Sequence, residues 1–395
     1  MDKPYYGCAS IGSVDVLAKT LGVNVKILES IVSKVDDSYT SYDLAPHPVT
    51  GKVRTVVEPK HDLKKLQKRI NSRIFCGVKF PSYLQGGIAS TEDVDRSYIK
   101  NAEIHCSSRT LINLDIKNFY TNIKYDVVFD IYKNFFRFSI PVCDVLTKLT
   151  TYKKQVPQGA CTSSYLANLV FYNNEYLLVS FLRGKGFSYS RLLDDITISA
   201  KSECSEILTS DIIKRVASML RKKDLKINNK KTKITDKREE HKEYKVTGLW
   251  VKHATPKLRK DERRYIRMLV YVCECKAQES RSTDEYHAFW NKTSGLVAKL
   301  KQLSHSQADS YRKRLSSILP ICSEEKVYSI NRRVKNALKI PVADHGSVSV
   351  IRRYNKLMYQ LGILSRTEPE LAKSLRKKML HHYPSIKTIN EYWHG

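Results

Sequence analysis

The chain of 395 residues has no apolar stretch fit to cross a bilayer. Its longest, YLANLVFYNNEYLLVSFL from Tyr165, is interrupted by Asn173, Asn174 and Glu175, which excludes an uninterrupted helical span. The opening MDKPYYGCAS has no apolar core, so a secretory signal is not expected. None of the nine cysteines stands in a CxxC pair. Cys273 and Cys275 form a CxC without a second pair or a nearby His cluster, so a zinc half-site is not expected and a reducing compartment is. There is no internal repeat and no long low-complexity linker, which excludes a solenoid and a disordered spacer. Acidic residues are scarce, 40 Asp+Glu against 69 Lys+Arg.

That imbalance leaves a net charge of +29, and a surplus of this size suits a polyanionic partner, nucleic acid before lipid. The length suits two or three globular units, and 42% hydrophobic residues suit a folded chain. The surplus is spread along the sequence. Residues 251–320 hold fifteen Lys/Arg against seven Asp/Glu, and residues 321–395 fourteen against six. Both segments have helical periodicity, so both are expected to present surfaces that follow a phosphate backbone.

In SYSRLLDDITISA, residues 188–200, Asp194 and Asp195 interrupt two short β-prone runs. The runs predict strands and the acidic pair predicts their connecting turn. Two-residue hairpins favour Asn-Gly or Asp-Gly, so Asp-Asp gives up turn propensity and sets like charges side by side. A solvated acidic turn is one reading. A carboxylate pair waiting for a divalent cation is the other.

Earlier in the chain, GKVRTVVEPK predicts a strand ending at Pro59, followed by a basic helix with Leu63, Leu66, Ile70 and Ile74 on one face. Lys52 and Arg54 at the strand's start suit a triphosphate or a solvated basic face equally. A loop with Gly86-Gly87 leads to a helix expected over 94–104. In TLINLDIKNFYTNI, alternation places Ile112, Leu114 and Ile116 on the buried face and Asp115 on the other, beside Phe119 and Tyr120. Joined to Asp194 and Asp195, Asp115 would complete an oxygen-only site for a hard cation such as Mg²⁺. A Pro-Gln-Gly turn then brings the Gln158 amide to the start of a helix with Leu166, Leu169, Val170, Leu177 and Phe181 along one stripe. A helix N-terminus of this kind suits a nucleotide. A basic helix, the Lys-rich LKINNKKTKI and a strand pair in VTGLWV follow.

The succession RTVVEP, LINLDIKNFY, VPQGACTSSYLANLV, LLDDITIS, LKINNKKTKI and VTGLWV resembles the motif series of reverse transcriptases over roughly residues 50–250. Within that family it is most similar to the bacterial retron type, through NAEIH (Asn101 to His105) and Val246-Thr247-Gly248. The resemblance implies an α+β right-hand polymerase with fingers, an antiparallel palm sheet, a helical thumb and a helical C-terminal extension. Its divisions would be a helical lead-in at 1–50, fingers with a retron-like insertion at 51–107, palm at 108–250, thumb at 251–320 and extension at 321–395. It implies an RNA-directed DNA polymerase of the bacterial cytoplasm, acting in antiphage defence on a dedicated structured noncoding RNA, with dNTPs, nascent DNA and a separate effector protein as further partners.

Carried over residue by residue, the resemblance gives Asp115, Asp194 and Asp195 the catalytic role. Those carboxylates and the Ile116 carbonyl would hold two Mg²⁺ ions, with Mn²⁺ as the alternative ion. Lys52 and Arg54 would grip the triphosphate, Tyr120 would exclude a ribose 2′-hydroxyl, Gln158 would line the nucleotide pocket, and Lys231 would protonate pyrophosphate. Asn101, His105, Val246, Thr247 and Gly248 would face RNA, although a helix-end packing role for His105 fits the sequence too. The chain departs from the family where Leu192 stands in place of the usual Tyr before the aspartates, and where LQGGIASTEDVDRS lacks a clear His-Gly-Phe. A catalytically idle RNA-binding scaffold and a maturase-like splicing factor are the competing readings. The retained aspartates count against the first, and the absence of a nuclease or zinc-finger pattern counts against the second.

Overall fold

The computed structural model describes residues 2–46, 51, 53–239 and 241–394, so Lys52 lies outside the described residues. The chain divides into two compact units, 1–257 and 258–395. The first unit opens with strand β1 (Tyr5–Tyr6), helices α1 (Val14–Leu21) and α2 (Val25–Ser33) and strand β2 (Tyr39–Asp43). Ser13 and Asn24 cap the two helices by accepting from backbone N–H groups of their first turns. Strand β3 (Thr55–Pro59) pairs with β2, and helix α3 (His61–Arg73) follows with Leu63, Leu66 and Ile70 buried. Strand β4 (Val78–Lys79) returns antiparallel to β1.

Helix α4 spans only Tyr98–Glu103, shorter than the expected 94–104. The residues before it are claimed by Arg96, whose guanidinium donates to the carbonyls of Phe80, Leu84 and Ala89 and holds that stretch as a loop. Strand β5 (Thr110–Asp115) leads to α5 (Phe119–Asn122), α6 (Tyr125–Asp130) and α7 (Ile140–Thr150). The expected alternation of β5 is corrected: Leu111, Ile112, Leu114 and Asp115 are all buried. A strand inside a sheet with core on both faces has no solvent side to alternate with.

The expected continuous helix from Tyr165 is likewise two helices, α8 (Ser163–Leu169) and α9 (Glu175–Gly184). The turn at Asn173-Asn174 resets the helical phase, leaving Leu177 exposed at 56% and burying Glu175 instead. Strands β6 (Phe187–Leu192) and β7 (Asp195–Ala200), helix α10 (Glu206–Arg221) and strand β8 (Lys233–Asp236) complete a four-stranded antiparallel sheet of order β6-β7-β5-β8. A last hairpin joins β9 (Lys245–Val246) to β10 (Leu249–Trp250).

The second unit is helical. Helices α11 (Lys260–Glu279), α12 (Asp284–Gln302) and α13 (Ala308–Ser317) pack together, with Arg314 forming a two-pronged ion pair to Glu274. Helices α14 (Glu324–Ala337), α15 (Val348–Leu364), α16 (Pro369–His382) and α17 (Ile389–His394) enclose a core that includes Val334, Leu357, Leu361, Leu364 and Met379. No helix among the described residues is long and apolar enough to cross a membrane.

One turn is strained. Tyr152 and Gln155 exchange backbone hydrogen bonds across Lys153-Lys154, whose φ values are +48° and +59°. A two-residue loop with both residues left-handed is the type that Asn-Gly fills best, and lysine there gives up backbone stability. Replacing Lys153→Asn together with Lys154→Gly is expected to raise the stability of the first unit by about 1–2 kcal/mol, read by urea denaturation.

Candidate active site

The register of the sheet sets two carboxylates opposite each other, with a third beside them in the turn. Asp115 ends β5 directly opposite Asp195, which begins β7, and the Ile116 amide donates to the Asp194 carbonyl at 2.9 Å. The hairpin turn is Leu193-Asp194 and not the aspartate pair, so Asp195 belongs to the strand. Leu193 carries the cost of that turn, with a φ of +60°.

Like charges opposed across a sheet repel. Burial and then the Asp194 and Asp115 charges push the Asp195 carboxyl up to about 6, although one side of it remains open to solvent. Asp194 is also raised, first by burial and then by Asp115, with Lys231 and Arg54 opposing. Lys231 forms an ion pair with Asp115, and Asn228 donates to the same carboxylate at 3.0 Å. The hydrogen bond to Asp115 in turn raises the affinity of Lys231 for its proton.

Tyr120 and Arg54 share this electrostatic neighbourhood. Burial and then Asp194 push the Tyr120 phenol up to about 12, and Arg54 acts on Asp194 from the start of β3. Gln158 is exposed, and its carbonyl accepts from the Val57 amide at 2.8 Å, which ties the Pro-Gln-Gly turn to β3. Gly159 is required there, because a methyl group on it would lie 2.7 Å from Val56 Cγ1 and 3.0 Å from the Val57 carbonyl.

Among the described residues no three His, Cys, Asp or Glu side chains converge as a ready-made metal cage. A site completed by phosphates and water does not need one, since Mg²⁺ is ordinarily held by one or two carboxylates plus substrate oxygens. The donors here are oxygen-only, and a lysine ammonium already sits on Asp115 as a stand-in cation. The residues fit a divalent ion.

The sheet, its carboxylate corner and the basic strand beside it coincide with a family model. Residues 33–251 match the reverse transcriptase (RNA-dependent DNA polymerase) family. The chain belongs to the retron reverse transcriptases. It is 41% identical to the Retron Se72 reverse transcriptase of Salmonella heidelberg, covering 97% of this chain and all of that one. It is 32% identical to the Retron Ec48 reverse transcriptase of Escherichia coli, over 93% and 91% of the two chains. Among solved structures it resembles telomerase from Candida albicans, at 11% identity and a TM-score of 0.41 over 93% of this chain and 67% of that one, an overlap too low to bear on function. The protein is therefore an RNA-directed DNA polymerase, of a family that uses divalent metal ions.

The residues expected at an RNA surface are placed differently. Asn101 and His105 are buried in the reverse transcriptase, at 1% and 0% exposure. His105 links the α4 region to the hairpin that carries the aspartates, with Nδ1 at 2.8 Å from Ser199 Oγ and Nε2 at 2.7 Å from Ser190 Oγ. Burial pushes it down to about 3, so it bridges β6 and β7 as a neutral ring. Val246 is buried as well, whereas Gly248 is exposed. Thr247, at a φ of +47°, donates to the Tyr98 carbonyl at 2.8 Å. The VTG turn thus meets the start of α4, the helix that carries the first residues of NAEIH.

Sequence reasoning missed the pair Arg191 and Glu175. Both are buried and joined by two hydrogen bonds of 2.6 and 2.8 Å, and Arg191 also donates to the carbonyls of Ala167, Asn168 and Leu193. The available signal was the lone charged residue of a β-prone run, three residues before Asp194, together with a glutamate in an apolar helix. Asn228 carried a weaker one, as a polar pair with Asn229 just ahead of Lys231.

Two outcomes follow from this geometry. Asp195 binds its proton more tightly in the folded reverse transcriptase than in the unfolded chain, so its contribution to stability is present below the unfolded value near 4 and is lost as pH rises through about 6. Asp195→Asn is therefore expected to melt above the parent in metal-free buffer at pH 7.5, with the difference gone by pH 4, and Mg²⁺ is expected to raise the melting temperature of the parent alone. His105→Ala leaves two serines without their ring partner and is expected to cost about 2–4 kcal/mol in urea unfolding, with RNA affinity per folded molecule unchanged. Selective loss of RNA affinity at parental stability would restore the surface role.

Proposed function

We propose that this reverse transcriptase copies a dedicated structured noncoding RNA into DNA in the bacterial cytoplasm, as the synthetic half of an antiphage defence system with a separate effector protein. The RNA serves as template, and priming is a further role open to it. The observation that carries the catalytic part is the opposition of Asp115 to Asp195 beside Asp194, a repulsive arrangement that Lys231 only partly offsets. Two Mg²⁺ ions, with Mn²⁺ as the alternative, would be held by Asp115, Asp194, Asp195 and the Ile116 carbonyl. When bound, such ions lower the pKa of a primer hydroxyl and neutralise a departing pyrophosphate.

The protein's own side chains do the rest. Arg54, with Lys52, suits the triphosphate of an incoming dNTP through bidentate contact. Burial first and the Asp194 charge second keep the Tyr120 phenol neutral, and its ring is the group assigned to exclude a 2′-hydroxyl. Gln158 stands exposed on a turn bonded to β3, which begins just after Arg54, and this supports a place along the nucleotide. Lys231 Nζ holds its proton firmly against Asp115 and can pass it to pyrophosphate once that carboxylate is neutralised. We assign residues 51–107 to fingers, 108–250 to palm, 251–320 to thumb and 321–395 to a basic extension. The charge of +29 supports an RNA partner and a growing DNA strand.

The test is synthesis by purified protein on its co-purified RNA with Mg²⁺ and dNTPs. Changing Asp194→Asn with Asp195→Asn is expected to lower DNA yield at least about 10³-fold, the scale seen when a catalytic group is removed. Parental yield would overturn the mechanism. Sequencing the bound nucleic acid is expected to return one structured RNA, and a broad mixture would overturn a dedicated template.

A further inference from the structure

Strand β6 is an edge strand of the four-stranded sheet, yet its far edge is not free. The segment from Tyr83 to Gln85 runs parallel beside it: the Arg191 amide donates to the Tyr83 carbonyl and the Gln85 amide to the Arg191 carbonyl, both at 2.9 Å. Arg96 fixes this segment from behind, and Asn168 Nδ2 donates to the Gly86 carbonyl at 2.7 Å. The next residues, Gly86 and Gly87, therefore lie against the turn that carries the aspartates.

The fit at Gly86 is tight on one side. A methyl group there would lie 2.8 Å from Leu192 Cγ, 3.2 Å from Leu192 Cα and 3.2 Å from Leu193 Cγ. Gly87, at a φ of +70°, needs glycine for its backbone conformation as well as for its approach to Ser164. Gly86 does not adopt a left-handed φ, so no such strain bars alanine there, and the three atoms nearest to an added methyl belong to the two leucines. Leu193 in turn has its carbonyl held by Arg191 Nη1 at 3.2 Å and passes directly into Asp194. Both leucines are half-buried, and pressure on the Leu192 backbone is passed along the turn toward the carboxylates.

We propose that Gly86 and Leu192 form a size-matched interlock that positions the Leu193-Asp194 turn for the reaction, an inference that rests on reading Asp194 and Asp195 as the catalytic carboxylates. Both residues act through the turn and neither touches the reacting atoms. The residue that stands where the family usually has Tyr is thus matched to a glycine of the preceding insertion, and the two set one another's size.

A double-mutant cycle tests this by single-turnover incorporation of dNTP. Gly86→Ala is expected to lower kcat about tenfold to a hundredfold, the scale of a misplacement near 1 Å, with KM for dNTP unchanged. Leu192→Ala opens a gap and is expected to give a smaller loss, with faster hydrogen exchange at the Gln85 and Arg191 amides. The two changes together refill the space and are expected to be faster than either alone. Gly86→Ala at the parental kcat, or a double variant no faster than Gly86→Ala, overturns the interlock. Should Gly86→Ala not fold, Leu192→Ala decides: parental kcat with parental exchange overturns it, and slower turnover with faster exchange supports it. Asp195→Asn is the control in both backgrounds, and activity surviving there refutes the catalytic reading instead.

Discussion

Asp115 and Asp195 face each other across the central pair of strands, and a like-charge pair at a cross-strand position works against the sheet that presents it. The surroundings show how the chain contains that repulsion. Lys231 and Asn228 hold one carboxylate, and the backbone bond from Ile116 to the Asp194 carbonyl keeps the ladder intact to its last residue. The strands do not splay where the charges meet. The repulsion remains as a raised proton affinity at Asp194 and Asp195, which is what a cation would relieve.

Anchoring of the hairpin comes from a second charged pair that is fully buried. Arg191 has five of its hydrogen bonds inside the protein, to Glu175, Ala167, Asn168 and Leu193, so the strand before the turn is bolted to α8 and α9. A buried pair of this kind is weak evidence for added stability, because desolvation offsets the attraction. Its direction-specific bonds fix the position of the turn instead. His105 does the same from the other side as a neutral ring between two strands, and the Tyr83–Gly87 segment closes the remaining edge. The stretch from Tyr83 to His105 therefore braces the hairpin that carries Asp194 and Asp195, with Asn101, Ala102 and His105 turned inward and Gly248 of the VTG turn left exposed.

The sequence by itself determined the chemistry and the broad architecture. Adjacent aspartates between β-prone runs, a third aspartate at a strand end, a basic strand ahead of a basic helix and the order of the motifs were enough for a reverse transcriptase, a family that uses divalent metal ions, because composition and local pattern carry charge, periodicity and motif order directly. The tertiary structure decided burial and direction. Asp115 lies in a strand with core on both faces, Leu177 lost its place on the apolar stripe to Glu175 after a two-asparagine turn, and Asn101 and His105 went inside. Each of these depends on which surface a segment finds far away in the chain, and a residue's own neighbours in sequence do not encode that surface. Leu192 shows the same division: the sequence marks it as a departure, and only the approach of Gly86 gives that departure a physical meaning.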